Sequence, residues 1–230
     1  MATLQGLMLL AAGIVLAMLS SVSAAQAQTP PSAGEIAGYK GLHLAAHQGD
    51  VVTIEQMVKQ GGDLEARDGS NRTAVHIAAF ARKPEAIAAL ARAGADMNTL
   101  EGGRYDAVTI AAVADDPETL AAALKAGNKP GNVTSVWDGT ALIAAAHLGH
   151  HRPIDLLIKA GAPLDHVNNL GWTALIEAVV LGDGGENHQK SLKLLLDAGA
   201  DKSIVDPQGK TPLDLARDRG FDAMVRLLGG

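Results

Sequence analysis

Histidine is the residue type of this 230-residue chain best suited to hold a metal or move a proton, and three of its eight copies cluster: His147, His150 and His151. Their i, i+3, i+4 spacing would put three imidazoles on one helical face, as a zinc site requires. Gly149 falls among them and predicts that the helix stops there, so a metal-binding protein or metal-dependent enzyme using this trio is the alternative reading rather than the leading one. His43 and His76 recur at equivalent places in a repeat and read as structural rings bonded to a neighbouring turn. The chain has no cysteine, which excludes a thiol nucleophile, a thiolate zinc site and a disulfide framework. It also lacks a phosphate loop, a His-Glu-x-x-His, a Gly-x-Ser-x-Gly and an EF-hand loop, so no catalytic residue and no cofactor is assigned. Asp115, Asp116 and Glu118 around Pro117 read as a helix start, where carboxylates accept from free N–H groups, rather than as a calcium site. The Gly-rich stretch 181–190 reads as a solvated loop, because Asp183 and Glu186 would repel an anion. Asn71-Arg72-Thr73 and Asn132-Val133-Thr134 match the glycosylation sequon.

The charge balance, 19 Lys and Arg against 25 Asp and Glu, gives a formal charge of −6, the wrong sign for a nucleic-acid binder. Hydrophobic residues make up 47% and aromatics only 3%, so the core must be built from Ala and aliphatic packing, which disfavours a lipocalin or immunoglobulin sandwich. From Leu7 to Leu19 runs an uninterrupted apolar stretch, too short for a spanning helix, followed by Ala25-Gln26-Ala27, a small-x-small pattern. Residues 1–27 are therefore expected to be a signal peptide, 28–38 an extended linker, and 39–230 the exported domain, periplasmic or secreted. No stable membrane insertion is expected after signal removal; retention of the segment as an anchor would instead make a membrane-tethered scaffold.

The candidate residues must be held by a repeating frame. Lys40, Thr73, Asp106, Thr140, Thr173 and Thr211 begin six units, near 40–72, 73–105, 106–139, 140–172, 173–210 and 211–230. Five positions on, each has Ala: Ala45, Ala78, Ala111, Ala145, Ala178 and Ala216. Aliphatic residues recur two positions after the start, from Leu42 to Leu213, and again in the series Ile54, Ile87, Leu120, Ile154, Leu192, Val225. Each unit reads as two short amphipathic helices and a turn; in the second, 74–80 and 84–91 are helical and Gly94 ends the pair. No pair can bury its own apolar face, so the pairs must stack.

Thr73-Ala74-Val75-His76-Ile77-Ala78-Ala79 and Ala93-Gly94-Ala95-Asp96, with Thr211-Pro212-Leu213 and Ala198-Gly199-Ala200-Asp201, resemble the ankyrin repeat family. The resemblance runs from about Tyr39 to Leu228 and implies an all-α solenoid of about six helix-turn-helix units. It further implies a non-enzymatic protein–protein interaction module whose concave face binds a partner protein, and the leading apolar segment adds a likeness to exported bacterial members. Three departures stand out. The third unit has an Ala-rich second helix and should be the softest, the fifth carries five extra residues expected to lengthen its inter-helix loop, and the sixth ends in the polar cap a stack needs.

On the ankyrin pattern the residue before each start and those seven and eight positions after it face the concave side. Tyr39, Arg72, Tyr105 and Trp172 hold the first place, His47, Phe80 and His147 the second, and Trp137 lies in the turn before the fourth unit. Four of the six aromatics therefore line one side, and these eight residues are the expected partner-binding set.

Overall fold

Five of the six unit starts become helix N-caps whose side chains satisfy free N–H groups: Asp106 and Thr140, for example, accept from Thr109 N and Ile143 N, while Lys40 caps without a side-chain bond. The computed structural model describes residues 28–230, so the signal-peptide assignment, 1–27, lies outside the described residues. Within Pro31–Gly230 the helices are α1 (Ala33–Gly38), α2 (Gly41–Gln48), α3 (Val51–Lys59), α4 (Ala74–Phe80), α5 (Pro84–Arg92), α6 (Ala107–Val113), α7 (Pro117–Lys125), α8 (Ala141–Leu148), α9 (His151–Lys159), α10 (Ala174–Val180), α11 (Glu186–Asp197), α12 (Pro212–Asp218) and α13 (Asp222–Leu228). After α1 they form six pairs. The first helix of each pair packs on the first helices of its neighbours, the second on the second, so the stack is a one-dimensional array.

The repeating Ala explains how two layers fit. Ala45, Ala78, Ala111, Ala145, Ala178 and Ala216 are all buried, with Ile54, Ile87, Leu120, Ile154 and Leu192 fully enclosed between the layers. In the terminal pair Met224 is fully enclosed and Val225 half-buries against the core. Each pair closes through a left-handed residue; at Gly94 φ is +98°, a conformation that a Cβ would penalise. His76 staples the second pair to the turn that follows. Its Nε2–H donates to Thr99 O at 3.0 Å and its Nδ1 accepts from Thr73 N at 3.1 Å, which requires the neutral ring. Burial, the largest cause, pushes its pKa down to about 4.

The hairpins between pairs join edge to edge through backbone bonds from Gly102 N to Ser70 O, Ser135 N to Arg104 O, and Asn169 N to Trp137 O. The corresponding position of the last hairpin is Pro207, which has no N–H to give, so this ladder stops.

Two expectations change, and the third unit gains bonds that its sequence did not announce. Residues 33–38 are a helix rather than extended linker, because Ser32 and Glu35 form a capping box. The five extra residues do not all enter the loop: part of them extend the second helix to twelve residues, against nine in α5, and α11 thereby reaches back to α8. The third unit, read as softest, is tied by a buried polar network in which Asp106 Oδ2 accepts from Asn128 Nδ2 at 2.8 Å and Asn132 Nδ2 at 2.9 Å. That network occupies the second sequon, and the hydroxyl residues of both, Thr73 and Thr134, are buried.

Candidate functional site

Burial separates the eight expected binding residues into those that brace the stack and those that can meet a partner. Arg72 braces. It is 2% exposed, and its guanidinium donates to Asp68 Oδ2 at 2.8 Å and pairs with Glu35 of α1. Tyr39 is also buried and donates its hydroxyl to Asp68 Oδ2 at 2.8 Å, while burial and that carboxylate push the phenol up. Glu35 accepts from Ser32 and from Ser70 Oγ, and these bonds, the one from the Ser32 hydroxyl foremost, hold its pKa at about 2. The first helix, absent from the sequence reading, therefore takes the cation expected to anchor a partner. An open cleft of about 380 Å³ remains beside it, lined by Glu35, Tyr39, Lys40, His43 and Asp68 among others.

The residue before each start and the one seven positions after it do share a face. The rings of Tyr39 and His47 lie 6.3 Å apart, and Lys210 pairs with Asp218 at the same two places of the last unit. Along this row Phe80 and Tyr105 are half-buried against the core and His47 is half-buried. Trp172 is buried, its backbone N–H donating to Asn168 Oδ1 at 3.0 Å, and Trp137 is half-buried in a hairpin with its backbone carbonyl taken by Asn169 N. His147 is the open member, with 48% of its side chain exposed, and Leu148 beside it is 40% exposed.

Below His147 lies a group that sequence reasoning missed. Glu177, in α10, is 5% exposed, and its Oε1 accepts from Asn168 Nδ2 at 2.8 Å. Its Oε2 faces His147 Nδ1 at the longer distance of 3.5 Å. Burial pushes the carboxyl up to about 7, against the pull of the Asn168 bond. The His147 ring is itself shifted down, first by burial and then by His188. His188, supplied by the extended start of α11, is held between Asp183 Oδ1 at 2.8 Å and His147 O at 2.9 Å. The available signal was columnar: the place of Glu177 is held in other units by Leu44, Ile77, Ile110, Ala144 and Leu215, so a carboxylate there breaks an apolar column.

The histidine trio does not converge. His147 ends α8, Gly149 turns the chain at φ +70°, and His150 caps α9 with its ring donating to Ala112 O at 3.1 Å. Among the described residues no group of three or more His, Asp or Glu could hold a metal ion, and no helix is long and apolar enough to cross a membrane. Asp116 caps α7 by accepting from Thr119 N, a structural task.

A family model described as ankyrin repeats, three copies, matches residues 9–101 and 108–206. A stretch of 98 residues is 41% identical to the putative ankyrin repeat protein YahD of Escherichia coli K12, covering 42% of this chain and 49% of that protein. The chain thus spans about half the length of that curated relative. Among solved structures, an ankyrin repeat domain from Acinetobacter baumannii is 39% identical, with a TM-score of 0.76 over 81% of this chain and 95% of that one. The ankyrin repeat protein EF0377 is 32% identical, with a TM-score of 0.75 over 83% of this chain and 98% of its own.

Proposed function

The chain belongs to the ankyrin repeat family, and from that premise we propose that it is an exported, non-enzymatic module that binds a partner protein on its inner face, the concave side lined by the first helices of the pairs, and thereby steadies or regulates it. The observation that carries this reading is the row of half-exposed side chains, His47, Phe80 and His147 on the first helices and Tyr105 just before one, held on a packed frame whose conformation is already set. A pre-ordered surface loses little entropy on association, so a modest number of contacts suffices. Tyr39, Arg72 and Trp172 support that surface rather than touch the partner. Export rests on the apolar run Leu7 to Leu19 and the small-residue pattern at Ala25 and Ala27.

The test is affinity capture from an exported-fraction extract with the chain and with a Phe80→Ala, Leu148→Ala variant that keeps its helical circular dichroism. A protein held by the parent and lost from the variant supports inner-face binding. Equal capture by both moves the interface to the outer helices or the hairpins, and an intact mass that retains residues 1–27 in the exported fraction removes the cleavage assignment.

A further inference from the structure

Glu177 puts a buried carboxylate where five other units have aliphatic side chains or Ala, and the bond from Asn168 to Oε1 engages only one of its two oxygens. Keeping an acid in a nearly closed site costs free energy unless something charged completes it. Half of it is completed: Asn168, itself 5% exposed and fixed by donors from Leu170 N and Trp172 N on its own oxygen, aims its amide at Oε1. The other half is not. Among the described residues the ionic neighbour of Glu177 is His147, whose ring stands 3.5 Å from Oε2, with its side chain 48% exposed. Burial disfavours the charged form of that ring, so it is a poor counter-ion for the carboxylate it covers.

Resting on the partner-binding reading above, we propose that Glu177, Asn168 and His147 form a receptor for one lysine or arginine side chain of the partner, which displaces the His147 ring and pairs with Glu177 Oε2. Charge complementarity selects the occupant. The chain carries a net charge of −6, the site offers an acceptor oxygen on a carboxylate, and Leu148, 40% exposed, provides apolar surface next to it for the methylenes of a long cationic side chain. The backbone around the receptor is held from below: His188 bonds His147 O, and a Cβ on Gly149 would lie 3.1 Å from the His188 ring, so the last turn of α8 is packed tight against the extended helix of the fifth unit. That packing gives the five extra residues a role, to fix the carbonyl end of α8 while leaving the His147 side chain half-exposed. Burial pushes the Glu177 carboxyl up to about 7, so a cation bound here favours the ionised form and releases protons below that pH.

The probe is the blocked tripeptide acetyl-Leu-Arg-Leu-amide, with acetyl-Leu-citrulline-Leu-amide as the neutral isostere, added to the full chain while the Glu177 side-chain carboxyl is followed by carbon NMR across pH. The arginine peptide at 20 mM is expected to lower the Glu177 titration midpoint by one unit or more and to move the His147 ring signals, and the citrulline peptide to do neither. Glu177→Gln is expected to weaken the arginine peptide at least tenfold, to the level of the citrulline peptide, while His147→Ala leaves its affinity equal or higher. An unmoved midpoint, or equal effects of the two peptides, overturns the proposal on the unmodified chain, whatever the variants do. If the arginine peptide binds as expected but no partner is captured, the receptor stands and the wider reading fails; capture through the inner face with no arginine effect does the reverse.

Discussion

His76 and Glu177 are both buried ionisable residues on first helices, yet their effects on stability run in opposite directions with pH. The His76 pKa falls from 6.5 to about 4 on folding, so its stabilising neutral form is fully present above pH 6.5 and is lost as pH drops through 4. Glu177 rises from 4.5 to about 7, so its acid is well accommodated below pH 4.5 and the cost of its charge is complete above pH 7. Each shift corresponds to about 3 kcal/mol at its full extent. Glu177→Gln should therefore raise urea-measured stability by as much as about 3 kcal/mol at pH 8 and by little at pH 4. His76→Gln should flatten the acid side of the same profile between pH 6.5 and 4, and an unchanged acid limb would show that another group controls it. The sequence singled out His76 correctly because its motif is local. It did not single out Glu177, whose meaning depends on His147 one unit earlier and Asn168 in the hairpin before it.

At the scale of the element, the helices were legible because capping residues and buried Ala recur at fixed offsets within each unit, with Pro84, Pro117 and Pro212 marking three of the helix starts. Ala74–Phe80 matches the expected 74–80, and the second helix of that pair runs one residue past the expected end. What composition could not convey was long-range bonding: Glu35 reaches Arg72 and Ser70 across more than thirty residues, which turned a presumed linker into a docked helix. The same holds for the third unit, where Ala-rich helices suggested weakness while Asn98, Asn128 and Asn132 join Asp106 in a network. The entry to α11 is the tightest place in the fifth unit. A Cβ on Gly182 would lie 2.1 Å from Ala178 O and 2.7 Å from the His188 ring. Gly182→Ala should thus cost at least about 2 kcal/mol in urea unfolding and loosen His188, whereas Gly34→Ala, with open space around it, should change stability by under about 0.5 kcal/mol.

Across Pro31–Gly230 the main helix contacts lie within a unit or between neighbouring units, so local stability should follow position in the stack. Amide exchange is expected to be slowest in α4, α6, α8 and α10, which have neighbours on both sides, and fastest in α1 and α13. Uniform protection along the chain would contradict a nearest-neighbour account. The family and its repeat number were readable at this scale because self-similarity survives substitutions that blur any one unit. The partner was not, because the same frame presents whatever side chains its inner row carries.

The most direct test of that row is site-specific photo-crosslinking in the exported fraction, with p-benzoylphenylalanine placed at Leu148 or, separately, at Val52 on α3. Leu148 is 40% exposed and Val52 64%, so reactivity alone favours the outer site. The inner-face account predicts one discrete protein adduct from position 148 and none from position 52. An adduct from position 52 without one from position 148 would place the partner on the other side of the stack.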